Sequence, residues 1–145
     1  MLCSPAVGGV ILFARNVRSK SQVIELNESI RECNPHLLLA VDQEGGRVAR
    51  LREGFTPLPA MQKLGHWYQR QPDAAIDGAE QLGWLMAAEV LASGFEFSFA
   101  PVLDVDADFC SVIGDRSFSD SPEAVTMIAS AFIAGMRSAG MAATG

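Results

Sequence analysis

Short apolar runs alternate along the chain with segments in which apolar residues recur every three or four positions. The runs occupy residues 9–13, 37–41 and 97–103, and residues 141–145 have the composition of a further one. Short, nearly continuous apolar runs are typical of strands that are buried on both faces. The pattern therefore predicts three strands and the beginning of a fourth.

The segments between the runs carry the periodicity of helices, with apolar residues at steps of three and four. The residues that show it are Val23, Leu26, Ile30 and Cys33, then Ala79, Leu82, Met86 and Val90, then Val125, Ile128, Ala129, Phe132, Ile133 and Met136. The last helix also has end signals. We expect Ser121 to cap its start, Pro122 to occupy its first position and Gly140 to end it.

Strands and helices in strict alternation predict an α/β fold with a parallel sheet and right-handed crossovers. Such a sheet is either doubly wound and open or closed as a TIM (β/α)8 barrel. A complete barrel needs about 250 residues, so four strands within 145 residues would form a partial one. We also expect the chain to be cut at both ends, because no strand precedes Gly9 and the last apolar run stops soon after it begins.

Two long connections follow predicted strands, at residues 42–72 and 104–120. Both leave the carboxyl ends of strands, which is the edge where parallel α/β proteins build their binding sites. Polar side chains gather at the same edge, notably Asp42, Glu44, Asp104 and Asp106. The sequence therefore predicts a ligand site there.

The segment 42–50, Asp-Gln-Glu-Gly-Gly-Arg-Val-Ala-Arg, carries the most chemistry. Its glycine pair permits a tight turn, and acids and arginines flank that turn. One interpretation is that Asp42 accepts hydrogen bonds from ligand hydroxyls while Arg50 donates to the same ligand. The other is an internal network of salt bridges that shapes the loop. The spacing alone leaves both open.

The loop at residues 111–118 presents the same choice. Arg116 follows a glycine beyond a strand end, where it could clamp a hydroxyl or amide of a ligand. Alternatively, Asp115 and Arg116 fix the loop. The acidic run 104–108 before it does not fit a calcium loop, because Phe109 stands where glycine is needed and Asp115 where a bidentate Glu is needed. We expect no metal and no cofactor.

Composition narrows the classes of partner. The chain has 145 residues, a net charge of -6 and 49% hydrophobic residues, which suits one soluble globular domain. Its 11 Lys and Arg are scattered, which argues against nucleic acid. There is no membrane-length apolar stretch and no signal-peptide pattern. The three cysteines lack metal or disulfide spacing and indicate reduced thiols in the cytoplasm.

Five blocks, in order over nearly the whole chain, resemble the bacterial β-N-acetylhexosaminidases of glycoside hydrolase family 3. They are GVILFARN (9–16), AVDQEGGRV (40–48), REGFTPLPAM (52–61), FAPVLDVD (99–106) and VIGDRSF (112–118). The resemblance implies a TIM-type barrel and a cytoplasmic enzyme without a cofactor. It also implies removal of terminal N-acetylglucosamine from peptidoglycan-derived anhydromuropeptides, with retention of configuration, in cell-wall recycling.

The resemblance assigns three residues to substrate binding. Asp42 matches the family's acid that binds hydroxyls of the non-reducing sugar, and Arg50 and Arg116 match its substrate-binding arginines. The family's Lys-His pair, its Asp-His acid/base dyad and its nucleophilic Asp match no position here. The resemblance therefore implies catalytic residues beyond Gly145 and none within the chain.

We accordingly expect residues 1–145 to be a fragment of a single barrel domain that is inactive and poorly stable alone. Open sheet edges predict self-association, although the family's full-length members are expected to be monomers. Rival interpretations are a non-catalytic sugar-binding module, a family 3 β-glycosidase of other specificity and a self-contained flavodoxin-like domain.

Overall fold

The structure, a computed structural model, describes residues 2–106 and 110–145. Its strands are β1 (Gly9–Leu12), β2 (Leu38–Val41), β3 (Gln43–Gly45), β4 (Val48–Ala49) and β5 (Phe97–Ser98). Its helices are α1 (Lys20–Cys33), α2 (Gln62–Tyr68), α3 (Pro72–Ala92) and α4 (Pro122–Ser138). Asp108 and Phe109, which bear on the rejected calcium loop, lie outside the described residues.

The described strands β1, β2 and β5 form one parallel sheet in that order. β1 pairs with β2 along its whole length, from Gly9 opposite Leu38 to Leu12 opposite Val41. The pairing of β2 with β5 is shorter and joins Val41 to Ser98 at its far end. Helices α1 and α3 connect successive parallel strands, so the predicted α/β order is confirmed.

The two faces of this sheet differ in burial. Adjacent residues of a strand point to opposite faces. Leu39 and Val41 are fully buried in a core that also contains residues of α1, α3 and α4. On the other face, Leu38 is 54% exposed and Ile11 is 46% exposed. The described helices therefore cover one face of the sheet.

Helices α3 and α4 pack at close range because glycines face the partner backbone. A Cβ on Gly83 would lie 2.1 Å from the carbonyl oxygen of Phe132, and one on Gly135 would lie 1.9 Å from that of Glu80. Neither position has space for a side chain.

Among the described residues, no helix has both the length and the apolar character needed to cross a membrane.

The end signals of α4 are confirmed. The Ser121 hydroxyl accepts a hydrogen bond from the backbone N–H of Ala124, and Pro122 is the first helical residue. At the other end, Gly140 has a φ of 96°. Its N–H donates to the carbonyl of Arg137, and the N–H of Met141 donates to that of Met136. This is the Schellman arrangement, which needs the left-handed conformation that glycine adopts readily.

Two predicted strands differ from the structure. The third apolar run forms a strand only over Phe97–Ser98, since Pro101 has no N–H to continue the ladder. Residues 141–145 are not a strand in the described structure. The N–H of Thr144 donates to the carbonyl of Ala100 at 3.1 Å, and one such bond beside a proline does not make a ladder.

Candidate functional site

A small hairpin follows β2 directly and organises the site. Its strands β3 and β4 are antiparallel, with Gln43 opposite Ala49 and Gly45 opposite Val48. Gly46 lies at the turn with a φ of 54°, and a Cβ there would be 2.8 Å from the Cβ of Ala60. Glycine is therefore required for the conformation and for the close approach to residues 59–61. The sequence did not predict these two strands.

Asp42 lies at the junction of β2 and β3 and pairs with Arg50. The Nη2 atom of Arg50 is 3.1 Å from Oδ2 of Asp42, and both side chains are about one quarter exposed, at 25% and 23%. The buried Nε of Arg50 has no hydrogen-bond partner among the described residues. The two residues predicted to share a ligand are thus brought together.

Gln43 supports this pair from below. Its side chain is buried, and its Oε1 accepts hydrogen bonds from the backbone N–H groups of Arg50 and Leu51, each at 3.0 Å. Its Nε2 donates to the carbonyl of Leu51. The backbone N–H of Gln43 donates to Oγ of Ser98, which donates in turn to the Gln43 carbonyl. Gln43 therefore links two parts of the chain: the backbone at Arg50 and the end of β5 at Ser98.

Glu44 and Arg116 form a two-point ion pair. Nε of Arg116 lies 2.8 Å from Oε2 of Glu44, and Nη2 lies 2.8 Å from Oε1. The Glu44 side chain is 6% exposed and that of Arg116 is 22% exposed. The hydrogen bonds to Glu44 raise the pKa of Arg116 above its ordinary value, with smaller raising contributions from the charges of Asp104 and Asp42. Arg116 is therefore a fixed cation near three carboxylates.

A second ion pair joins the hairpin to the same loop on the outside. Nε of Arg47 is 2.9 Å from Oδ1 of Asp115, and Nη2 of Arg47 donates to the carbonyl of Val112. Both charged side chains are close to half exposed. The salt-bridge network that the spacing left open is thus present in the structure. It includes Asp42, Arg50 and Arg116, the residues predicted to bind a ligand.

The loop that carries Arg116 is braced by its own serines and by α2. The buried Ser117 donates its hydroxyl to the carbonyl of Asp104 at 2.6 Å. Nε2 of Gln62 donates to a carboxylate oxygen of Asp106 at 3.3 Å, and the N–H of Asp106 donates to the carbonyl of Ser119. These bonds fix the loop around the exposed Asp104, whose charge contributes to the raised pKa of Arg116.

The site is a polar surface at the carboxyl ends of β2 and β5, and we call it the ledge. It consists of Asp42, Glu44, Arg50, Asp104 and Arg116. A groove of about 550 Å³ lies elsewhere, around Trp84 between α3 and α4. No cluster of three metal-ligating side chains occurs in the part of the chain that is described. The ledge offers carboxylate acceptors and guanidinium donors, which suits hydrogen bonding to a polar ligand.

The predicted binding residues Asp42, Arg50 and Arg116 all contribute to this ledge. Sequence reasoning did not identify the contacts of Gln43 and Glu44, and nothing in the order of residues indicates that both side chains are buried. The available signal was their position: polar residues directly after a buried strand need partners.

Comparison with known proteins gives consistent relatives. The chain is 55% identical to a beta-hexosaminidase of Alkalilimnicola ehrlichii over 146 aligned positions. The alignment covers all of this chain and 42% of that protein. It is 54% identical to a beta-hexosaminidase of Methylococcus capsulatus, over 99% of this chain and 42% of that protein. The chain thus spans about two fifths of the length of these curated relatives.

Solved structures agree with the sequence relatives. NagZ of Neisseria gonorrhoeae in complex with N-trifluoroacetyl-D-glucosamine superimposes with a TM-score of 0.95 at 46% identity, over 98% of this chain and 43% of that one. A β-N-acetylhexosaminidase of Beutenbergia cavernae superimposes with a TM-score of 0.78 at 28% identity, over 94% of this chain and 43% of that one. The fold is therefore that of a partial TIM-type barrel and not of a doubly wound sheet.

The model of the glycosyl hydrolase family 3 N-terminal domain matches residues 1–145. The match covers every block that suggested the family from the sequence. With the curated relatives and the solved structures in agreement, the chain belongs to glycosyl hydrolase family 3.

Proposed function

We propose that this chain supplies part of the sugar-binding wall of a β-N-acetylhexosaminidase. The observation that carries the proposal is the convergence of Asp42, Arg50 and Arg116 at the carboxyl ends of parallel strands. Each has hydrogen-bonding capacity that its ion pair does not use. A carboxylate has about four lone-pair sites, and a guanidinium has five N–H groups.

The charges of the ledge favour a neutral ligand rich in hydroxyl groups. The charges of Asp42, Glu44 and Asp104 all act on Arg116, and Arg50 pairs with Asp42. An anion would meet this excess of negative charge. A sugar hydroxyl both donates and accepts, so it can bridge a carboxylate and a guanidinium at the same time.

In this proposal Asp42 accepts hydrogen bonds from hydroxyls of the non-reducing sugar. Arg50 and Arg116 donate to oxygen atoms of the same ligand. A charge-assisted hydrogen bond of this kind contributes about 1.5–3 kcal/mol. The structure of NagZ with N-trifluoroacetyl-D-glucosamine supports an N-acylated glucosamine as the ligand class.

The proposed reaction is retaining hydrolysis of a terminal β-N-acetylglucosaminide in peptidoglycan recycling. Retention requires a nucleophile and an acid/base group on opposite sides of the bond that breaks. The family resemblance implies that both lie outside residues 1–145, so we expect this chain alone not to hydrolyse the substrate. The chain is then part of a single barrel domain whose other strands carry the catalyst.

Location and assembly are also proposals. The exposed, free thiols of Cys3, Cys33 and Cys110 support a cytoplasmic protein. The exposed Ile11 and Leu38, beside the edge strand β1, support self-association of the isolated chain. Light scattering should show an apparent mass that rises with concentration and falls in Leu38→Lys. A monomer at all concentrations would contradict this proposal.

The test of function compares two proteins with a fluorogenic aryl β-N-acetylglucosaminide. One is the 145-residue chain. The other is a chimera in which this chain replaces the matching 42% of the Alkalilimnicola ehrlichii beta-hexosaminidase. We expect turnover by the chimera, loss of turnover in its Asp42→Ala variant, and none by the chain.

Each other outcome has a distinct meaning. Turnover by the chain alone would place the catalyst among its own acids, with Asp42, Glu44 and Asp104 the first to substitute. Affinity of the chain alone for N-acetylglucosamine, lost in its Asp42→Ala variant, would favour a non-catalytic sugar-binding module. Faster turnover of an aryl β-glucoside would indicate a family 3 β-glycosidase of other specificity.

A further inference from the structure

The contact between Glu44 and Arg116 uses one particular edge of the guanidinium. Nε and Nη2 of Arg116 each donate to one carboxylate oxygen of Glu44 at 2.8 Å. This side-on, two-point geometry fixes the plane of the guanidinium as well as its position. The remaining nitrogen, Nη1, has a long contact of 3.4 Å with the carbonyl of Val112. One edge of Arg116 is thus occupied, and the Nη1 edge retains donor capacity.

The position of Glu44 is fixed by the strand that carries it. Glu44 is 5% exposed and lies on β3 between Gln43 and Gly45, which are also buried. A Cβ on Gly45 would be 2.3 Å from the carbonyl oxygen of Pro59, so the strand is packed tightly against the segment behind it. A buried carboxylate without its cation is costly. Glu44 therefore holds Arg116 in one orientation before any ligand arrives.

We propose that Glu44 is a positioning residue that presets which edge of Arg116 meets the ligand. Resting on the proposed function, this inference means that Glu44 binds no sugar itself. It directs the Nη1 edge of Arg116 toward the ligand and keeps the Nε and Nη2 edge from it. Preorganisation of this kind lowers the entropy that binding must remove, because the arginine is already ordered.

The first experiment measures the orientation in the free 145-residue chain. Arginine Nε–H signals in ¹H–¹⁵N spectra report ordering and exchange with water. We expect the Arg116 signal to exchange slowly and to be as ordered as the backbone, whereas the exposed Arg70 exchanges fast. Glu44→Gln should make Arg116 resemble Arg70. Asp115→Asn, the same acid-to-amide change in the pair with Arg47, is the matched control and should leave Arg116 unchanged.

The second experiment uses the chimera described above, in which the barrel domain is complete, and measures its affinity for N-acetylglucosamine in a double-mutant cycle. We expect Glu44→Gln to weaken binding about tenfold, which corresponds to one charge-assisted hydrogen bond. In an Arg116→Met background, the same substitution should have no further effect, because its target is gone. A purely structural role would weaken binding equally in both backgrounds. If Arg116→Met does not fold, Arg116→Lys takes its place, since it keeps the charge and loses the two-point geometry.

The outcomes separate this inference from the proposed function. Rapid exchange of Arg116 Nε–H in the unsubstituted chain overturns the positioning role whatever the sugar does. Unchanged affinity in Glu44→Gln, or equal losses in both backgrounds, also overturns it. An ordered Arg116 in the chain, together with a chimera that binds no N-acetylglucosamine, overturns the proposed sugar site and leaves the preset orientation established.

Discussion

Two ion pairs join the hairpin β3–β4 to the loop that follows β5, and they differ in burial. Glu44–Arg116 is a two-point pair whose carboxylate side chain is 6% exposed. Arg47–Asp115 is closed by one carboxylate oxygen, with side chains 48% and 43% exposed. On the loop, Asp115 and Arg116 are adjacent residues. Two carboxylate–guanidinium pairs at neighbouring positions of the loop therefore differ in burial and in geometry.

The hairpin itself creates this difference. Glu44 lies on β3, whose residues are all buried, whereas Arg47 follows the exposed Gly46 at the turn. An exposed pair contributes about 0.2–1 kcal/mol and is screened by salt. A buried pair adds little relative to an apolar replacement, but the loss of one partner is costly. The buried pair therefore sets orientation, and the exposed pair adds a weak tether.

The largest expected effect comes from removing the cation of the buried pair. Arg116→Met leaves the carboxylate of Glu44 buried and uncompensated, so we expect the free energy of unfolding to fall by about 3 kcal/mol. Urea denaturation of the chain at neutral pH measures this. A loss below about 1 kcal/mol would mean that the carboxylate of Glu44 reaches water at little cost.

The double variant Glu44→Gln/Arg116→Met is the control for that experiment. It removes both charges and keeps similar volumes, so most of the lost stability should return. If the double variant were as unstable as Arg116→Met, the loss would come from packing of the arginine stem and not from an unpaired charge.

Removal of the amide beneath Asp42 and Arg50 should have the next largest effect. Gln43→Ala removes the partner of two backbone N–H groups and one carbonyl in a partly buried loop, and we expect a cost of about 2 kcal/mol. Amide hydrogen exchange should rise at Arg50 and Leu51. The matched control is Gln62→Ala, whose half-buried amide makes a 3.3 Å contact with Asp106. Equal exchange rates at Arg50 in the two variants would contradict a supporting role for Gln43.

The sequence predicted the parallel order and the ends of α4 because these depend on local signals. Ser121, Pro122 and Gly140 act within one helical turn of where they stand. It also predicted Asp42, Arg50 and Arg116 as binding residues, from their positions after strands and from the family resemblance. The structure brings the three together, and their role in binding stays a prediction.

The pairing of those residues could not be predicted in the same way. Glu44 meets Arg116 across 72 positions of chain, and Ser98 meets Gln43 across 55. Such contacts depend on how the hairpin docks on the loop after β5, which no local pattern encodes. The shortened β5 was predictable in principle, since Pro101 lies within the apolar run.

A smaller effect should follow from breaking the exposed pair. Asp115→Asn should lower the free energy of unfolding by about 0.5 kcal/mol at low salt. The difference from the unsubstituted chain should shrink in about 0.5 M NaCl, where exposed charges are largely screened. Parallel urea titrations at the two salt concentrations measure it. A loss as large as that of Arg116→Met would erase the contrast between the two pairs.

The smallest effect concerns an acid with no burial at all. Glu123 is fully exposed in the first turn of α4, where its own backbone N–H and the hydroxyl of Ser121 lower its pKa below the ordinary 4.5. A carboxylate with a lowered pKa stabilises the folded state above the unfolded pKa, and that contribution is lost as the pH falls through the folded value. Glu123→Gln should therefore lower Tm slightly at pH 7, and the difference should vanish once the pH is well below 4.5. Thermal melts of both proteins across this range test the sign. A Tm difference that persists in acid would mean that the geometry of the helix cap, and not the charge of Glu123, causes the loss. The charge of an exposed acid would then add nothing to stability here, and the contrast between the buried Glu44 and the exposed Asp115 would not extend to Glu123.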